Sequence, residues 1–257
     1  MSGSLLDLLS DVARVTGAAA MRHFTTQLTV ETKTDGSPVT VADREAERAA
    51  RDWIAARFPD DAVLGEEYGE TPAAQGRRWI IDPIDGTKSF VRGVPLWASL
   101  IALTDATGAL GGAAFFPAVD ELVVAAPGQG CWWNGARCAV SQVSALGNAT
   151  VLTTDERFAG QPARQRAWTA LAAGASVART WGDAYGYLLV ATGRAEVMVD
   201  PITNVWDVAP ILPIIEEAGG VFTDWSGSRT PFGGDAIATN RALARDARRL
   251  LGAGDPR

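Results

Sequence analysis

A chain of 257 residues, 47% hydrophobic and 21% charged, can bury a substantial core as one large domain or two fused halves. Its net charge of −7 excludes a nucleic-acid surface, which needs clustered bases to displace counterions, and every apolar run is interrupted short of a membrane span. Acids occupy the N-terminal stretch MSGSLLDLLSDVARV where a secretory signal carries bases, so the expected location is the cytoplasm. Cys131 and Cys138 are the only cysteines, too few for a disulfide framework and in the wrong pattern for zinc, so each reads as a buried or incidental thiol. An acidic protein acting on an anion needs a local source of positive charge, which metal ions held by some of its acids would supply. Lysine occurs only at Lys33 and Lys88 in an arginine-rich chain. Each either marks a need for a compact ammonium or is a chance survivor of the composition.

From the N-terminus, apolar residues at helical spacing (Leu5, Leu8, Leu9, Val12, Val15, Ala19) predict an amphipathic helix over 4–24. LTVETKTDGSPVTVAD reads as strand and turn, with Asp35-Gly36 as the turn, and a second helix follows from about Ala42 to Phe58. DAVLGEE and RRWIIDPIDGT each read as a short apolar strand running into carboxylates. Pro95 to Ser141 is strand-like, with hairpin signals at Ala106-Thr107-Gly108 and Asn134-Gly135. Beyond about residue 145 strands and helices alternate: VARTWGD, AEVMVDP, VFTDWSG and AIATN as strands, YGYLLVATG, WDVAPILPIIEEAGG and ALARDARRLL as helices. Pro213 falls inside the second of these helices, where it deletes a backbone hydrogen bond and predicts a local distortion. The expected architecture is α/β, helices layered on sheets, in two halves of residues 1–140 and 141–257.

The segment Trp79-Ile80-Ile81-Asp82-Pro83-Ile84-Asp85-Gly86-Thr87-Lys88 carries the chemistry. A strand delivers Asp82 to its end, and Pro83 is expected to stop the ladder there. Asp82 and Asp85 can face one point across the turn, and only a cation or a proton makes two such charges tolerable. Gly86-Thr87 then opens a helix whose N–H groups suit a phosphate. Oxygen ligands without histidine favour magnesium or manganese over zinc. Taken alone, DPIDG is equally well an Asp-Pro turn followed by an Asp-Gly turn. Glu66-Glu67 also follows a short strand. Asp207 opens an apolar helix, where an N-cap is the simpler role, and Asp43 sits where a first-turn acid would.

Together these segments resemble the inositol monophosphatase superfamily: WIIDPIDGTKSF its first signature, VWDVAPILPIIEEAGG its second, with LGEE and VTVAD, preceded by Lys33, in the expected order. The resemblance covers essentially the whole chain and implies an αβαβα five-layer sandwich and a homodimer. It further implies that Glu66, Asp82, Asp85, Asp207 and the Ile84 carbonyl hold two to three Mg2+, which Mn2+ could replace, with Asp82 bridging two. Asp43 and Thr87, with Glu66, would orient the attacking water and take its proton, while the Gly86 and Thr87 amides hold phosphate oxygens. Lys33, Glu67, Lys88 and Trp181 are further candidates.

A phosphatase that attacks through the aspartate of a D-x-D-G-T sequence is a rival. DPIDGT has one residue too many between its aspartates, and no lysine follows Lys88 to balance charge. His23, the sole histidine, reads as a core or surface residue of the first helix. A non-catalytic, RNA-associated relative is a second rival, disfavoured by the complete acid set and the low basicity.

The ester is expected to be chosen in the second half. Inositol-type members carry a small hydroxyl or alanine residue after the glycine of Arg179-Thr180-Trp181-Gly182-Asp183-Ala184-Tyr185-Gly186-Tyr187, whereas this chain has Asp183. A carboxylate suits an amine or an imidazole N–H, and Trp181 with the two tyrosines could wall it. This stretch, LPIIEEAGG and TDWSG resemble the histidinol-phosphate phosphatases of the superfamily. L-Histidinol phosphate, an intermediate of histidine biosynthesis, is therefore the expected substrate, with inositol monophosphate the alternative. Asp200 matches an acidic substrate-contacting position of the family and is equally a strand-end cap before Pro201. Asp183 is also placed to be the N-cap of the helix that follows.

Overall fold

The computed structural model describes residues 4–33, 36, 38–72 and 76–257. Helix α1 (Leu5–Met21) is opened by Ser4, whose hydroxyl accepts from Asp7 N while Asp7 reaches back to Ser4 N. A two-residue ladder, β1 (Glu31–Thr32) with β2 (Pro38–Val39), leads into α2 (Val41–Ala55). Asp35 of the expected turn lies outside the described residues; Gly36, at φ 86°, is within them. Helix α2 stops three residues before the expected Phe58, where the chain tightens into a turn closed by Phe58 N donating to Ile54 O at 2.7 Å.

Strand β3 (Ala62–Gly65) is followed by an edge strand the sequence did not suggest, β4 (Gly69–Thr71), and then by β5 (Arg78–Asp85). Strand β5 does not end at Asp82. Pro83 interrupts the ladder as expected, but the chain bulges: Asp82 pairs with Leu100, Asp85 with Ala98, and Ser99 Oγ donates to Pro83 O at 2.7 Å. The four-residue helix α3 (Thr87–Phe90) follows Gly86. Strands β6 (Ala98–Asp105), β7 (Gly108–Phe116), β8 (Glu121–Ala126), β9 (Gly130–Trp133) and β10 (Ala136–Arg137) then run as a meander. Asn134 and Gly135 both have positive φ (47° and 79°), as their two-residue hairpin requires.

The second half begins with β11 (Thr150–Thr153) and α4 (Pro162–Gly174), neither of which the sequence pattern located. Strand β12 (Val177–Arg179) is shorter than expected, leaving Thr180, Trp181 and Gly182 outside it. Then come α5 (Ala184–Ala191), β13 (Val197–Asp200), α6 (Val205–Val208), α7 (Ile211–Glu217), β14 (Val221–Thr223), β15 (Ala236–Thr239) and α8 (Ala244–Leu251). The single helix expected across 206–220 is thus two: Ala209 N still donates to Val205 O at 2.8 Å, but the hydrogen-bonded ladder lapses at Pro210, although both residues keep right-handed helical dihedrals. Pro210 and Pro213 each lack the N–H that would carry the ladder through.

Strands β3 to β10 form one eight-stranded sheet in the order β10-β9-β8-β7-β6-β5-β3-β4, and β11 to β15 form a five-stranded sheet in the order β12-β11-β13-β15-β14. Alternation along β7 sends Ala113 and Phe115 to one face, against Leu9 and Val12 of α1 and Ile54 of α2, and Ala114 and Phe116 to the other, against Ile211 and Ile214 of α7. Met198, Ala236 and Ala238 of the smaller sheet close on that same middle layer, where α5 and α7 lie. Val197, Val199 and Ile237 face outward onto Trp168 of α4 and Leu251 of α8. The result is a five-layer αβαβα sandwich. Among the described residues no helix is long and apolar enough to cross a membrane. Cys131 and Cys138, free thiols, lie opposite each other on neighbouring chain segments with Sγ atoms 3.4 Å apart, a pairing the sequence did not suggest.

Candidate active site

The bulge at Pro83 aims the acids. Asp82, almost wholly buried, is fixed by Ile84 N donating to its Oδ1 at 3.0 Å. Two residues on, Asp85 rejoins the sheet and its Oδ2 accepts from Ala184 N at 2.6 Å, so an acid of the first half caps the first turn of α5 in the second. Asp207 arrives from α6. It is not the N-cap; Asn204 holds that position, and Asp207, in the first turn, accepts from Asn204 N at 2.7 Å through Oδ2. Asp43 uses the same device on α2: its Oδ2 accepts from Thr40 N at 2.8 Å and Thr40 Oγ1 at 2.7 Å. In both cases one oxygen is tied to the helix start and the other is left for the site.

Oxygens of Asp82, Asp85 and Asp207 all lie within 4.8 Å of one another. Burial, then the neighbouring charges of Glu66, Asp85 and Asp207, holds the Asp82 carboxyl well above the usual range; burial and then Asp183 and Asp207 do the same for Asp85. Burial pushes Asp207 up to about 7 despite its Asn204 bond. Glu66 sits beside Asp82 and accepts from Lys33 Nζ at 2.7 Å, and Glu67 accepts from the same ammonium at 2.6 Å. The Glu67 carboxyl is pushed up to about 7, chiefly by burial. Thr87 Oγ1 lies 3.0 Å from Ile84 O and 3.4 Å from Asp43 Oδ1. Burial raises the Asp43 carboxyl above its usual range. A group of repelling carboxylates, Asp82 buried and Asp85 and Asp207 half-buried, with unshared oxygens and no nitrogen or sulfur among the donors, fits hard divalent cations such as Mg2+ or Mn2+.

Beside this cluster a hollow of about 80 Å³ is lined by Asp85, Thr154, Asp183, Tyr187, Thr203 and Asp207, among others. It adjoins an outer hollow of about 510 Å³ that shares Thr154 and Asp183 and carries the exposed Lys88. A roomier depression of about 630 Å³, between Glu70, Arg77, Arg78 and Asp105, touches none of these acids. Asp183 stands at the N-terminus of α5, but its side chain makes no capping bond among the described residues; Asp85 has that role. Its backbone is at φ 51°, ψ −157°, a region that favours glycine, and Thr154 Oγ1 pins it by accepting from Asp183 N at 2.8 Å. Burial and the charge of Asp200 push the Asp183 carboxyl up to about 6. Asp200, buried, accepts from Thr154 N at 3.2 Å and Tyr187 OH at 2.8 Å. The aromatic wall is not formed as expected. Tyr187 lines the hollow, but Tyr185 donates to Glu121 and packs on Phe116, and Trp181, 45% exposed, is not among the lining residues.

The profile of the inositol monophosphatase family matches residues 3–252. The chain belongs to this family. A histidinol-phosphatase of Chlorobaculum parvum is 42% identical over 253 residues, 97% of each chain. A histidinol-phosphatase of Mycobacterium tuberculosis is 38% identical over 98% of this chain and 96% of its own. Among solved structures, the extragenic suppressor protein SuhB of Bartonella henselae superposes with a TM-score of 0.91 at 28% identity, covering 97% of this chain and 98% of its own.

Three residues in and beneath this site were missed from the sequence: Thr154, Tyr187 as a hydrogen-bonding residue, and Glu47, which is wholly buried beneath the Glu66 turn. Thr154 lies in an unlocated strand-to-loop step and bears no motif. Glu47 carried a faint signal, standing four residues after Asp43 and so on the same helical face.

Proposed function

We propose that the protein is a Mg2+-dependent phosphatase that hydrolyses L-histidinol phosphate to L-histidinol and phosphate, a reaction of histidine biosynthesis. The observation that carries the choice of substrate is Asp183: a carboxylate, freed from capping and held in a strained backbone, beside the acid cluster. It would pair with the amine or imidazole N–H of the substrate. The histidinol-phosphatase relatives support the same reading.

Glu66, Asp82, Asp85, Asp207 and the Ile84 carbonyl would hold the metal. When bound, Mg2+ supplies charge neutralisation at phosphate and lowers the pKa of water. Gly86 and Thr87 amides would hold phosphate oxygens. A Cβ on Gly86 would lie 3.0 Å from Asp183 Oδ2, so the phosphate and cation subsites adjoin within one small molecule. The attacking water would lose its proton to the Thr87 hydroxyl as that hydroxyl passes its own to Asp43 Oδ1, a carboxylate made more basic by burial. The water oxygen bonds to phosphorus, the ester P–O bond breaks, and the alcohol oxygen takes a proton from solvent. Asp200 would hold Thr154 and Tyr187 in place around the bound alcohol. Lys33 and Glu67 would flank the metal side, and Lys88 and Trp181 the outer rim. The same reading makes the protein a cytoplasmic homodimer that binds neither nucleic acid nor membrane.

Phosphate release with Mg2+ is to be assayed over histidinol phosphate, inositol 1-phosphate, fructose 1,6-bisphosphate and glycerol phosphate. The expected result is a kcat/KM for histidinol phosphate at least tenfold above the rest, abolished by a chelator. A preference for inositol 1-phosphate would overturn the substrate, and chelator-resistant activity would overturn the metal.

A further inference from the structure

Helix α2 carries a second buried acid that the reaction outlined above does not use. Glu47 is 0% exposed and lies one helical turn beyond Asp43. Its Oε2 accepts from Glu67 N at 2.7 Å; its Oε1 accepts from Arg51 Nε at 2.7 Å and Tyr68 N at 3.2 Å. Arg51 extends this contact to β4, donating to Thr71 Oγ1 at 2.9 Å and to Gly69 O. A Cβ on Gly65 would overlap Glu47 Oε1, so the turn closes over the carboxylate only because residue 65 is glycine. The chain from Gly65 to Tyr68 is thus wrapped around an anion that belongs to α2. On its other side the turn is tied to β5, Glu66 N donating to Ile81 O at 3.2 Å.

We propose that Glu47 is a positioning residue for the metal centre. It locks the Gly65–Tyr68 turn to α2, so that Glu66 meets Asp82 and the same helix fixes Asp43 and Glu66 relative to one another. The inference rests on the reading of Glu66 as a Mg2+ ligand. A neutral isostere does not replace Glu47. In Glu47→Gln one acceptor oxygen becomes an NH2 group that must face either the turn amides or Arg51, donor against donor.

The test compares wild type, Glu47→Gln and Gly65→Ala in three measurements: Mg2+ binding by calorimetry without substrate, Mg2+ dependence of phosphate release, and melting temperature without metal. Loss of a group that orients a metal ligand costs roughly 10–100-fold in metal affinity or activity. Both variants are therefore expected to bind Mg2+ at least about tenfold more weakly, and to need correspondingly more Mg2+ for half-maximal rate. At saturating Mg2+ the KM for the phosphate ester should stay within about twofold. If Glu47→Gln does not fold, Gly65→Ala carries the comparison, because it displaces the carboxylate without removing it. Variants with a lower melting temperature but wild-type Mg2+ affinity would overturn the inference and leave Glu47 a stability residue. A wild type that neither binds nor requires Mg2+ would instead overturn the functional reading, and this inference with it.

Discussion

The acids in and around the carboxylate cluster are held in two different ways. Those of the first half stand on regular structure: Asp43 in the first turn of α2, Asp82 and Asp85 on a bulged central strand, each locked by a backbone amide. Asp183 of the second half stands on no regular element, at a glycine-favouring backbone angle, between a glycine packed on Thr154 and the start of α5. Rigid elements suit charges that must be placed to a fraction of an ångström, as metal ligands must. A strained loop residue can change identity between relatives without moving the sheet beneath it, and that suits a residue that selects the substrate.

If this division of labour is right, the largest effect belongs to the first region. Asp82→Asn is expected to lower kcat by several orders of magnitude, because a buried charge at the centre of the ligand set is lost. The fold should survive. Removing one of several repelling, buried carboxylates should leave the metal-free melting temperature unchanged or raise it, while the stabilisation by added Mg2+ shrinks. Calorimetric melting with and without Mg2+ checks this, and near-normal turnover would break the metal assignment.

The second region should respond more narrowly. Asp183→Asn keeps the shape and loses the ion pair. A charge-assisted hydrogen bond contributes about 1.5–3 kcal/mol, so kcat/KM for histidinol phosphate should fall roughly ten- to a hundredfold. Hydrolysis of glycerol phosphate, whose alcohol carries no cation, should change by less than about threefold on the same argument. Equal losses on both substrates would erase the contrast between the two regions.

Thr154→Val sharpens the contrast, since it removes the hydroxyl that accepts from Asp183 N and leaves that amide unpaired. An unmade buried bond costs about 1–3 kcal/mol, and the loss should appear on histidinol phosphate while the Mg2+ dependence stays at wild-type values. A shift in Mg2+ requirement would show that the two regions are mechanically one.

The same difference explains what the sequence could reveal. Asp82 and Asp85 were legible as a facing pair because a strand and a proline announce where they point, whereas Asp207, by pattern alone simply an N-cap, joined them only through the family resemblance; the layered α/β architecture was legible in the succession of strands and helices. The bulge at Pro83 was not legible, because a proline forbids one hydrogen bond without saying whether the ladder ends or detours. Strand β11 is four residues long, too short for its alternation to stand out, and α4 has a poorly segregated apolar face. Glu47 and Thr154 act through contacts 20 and 29 residues away in the chain, which no local pattern encodes. For Asp183 the sequence left two roles open, and only the Asp85–Ala184 bond removed the capping one.

The smallest expected effect, on stability, follows from the titration of the cluster. Asp207, at about 7 in the folded protein, and Asp183, at about 6, lie above the 3.8 of an unperturbed aspartate, and Asp82 and Asp85 are displaced in the same direction. A carboxyl whose folded value is raised binds its proton more tightly when folded. Its folded form is therefore favoured while protonated, and stability falls as pH rises from the unfolded value near 4 through the folded value near 7. Metal-free protein should accordingly melt higher at pH 5.5 than at pH 8, each kcal/mol corresponding to roughly 2–4 °C at this chain length. With Mg2+ the order should reverse, because cation binding requires the ionised carboxylates and competes with protons for them. Melting curves at the two pH values, in chelator and in Mg2+, give a four-way comparison in which the clustered acids Asp82, Asp85 and Asp207 predict the crossover. Asp183→Asn should leave that crossover in place, whereas Asp82→Asn should flatten it, and a crossover lost in both would mean that the two sets of acids titrate as a single unit.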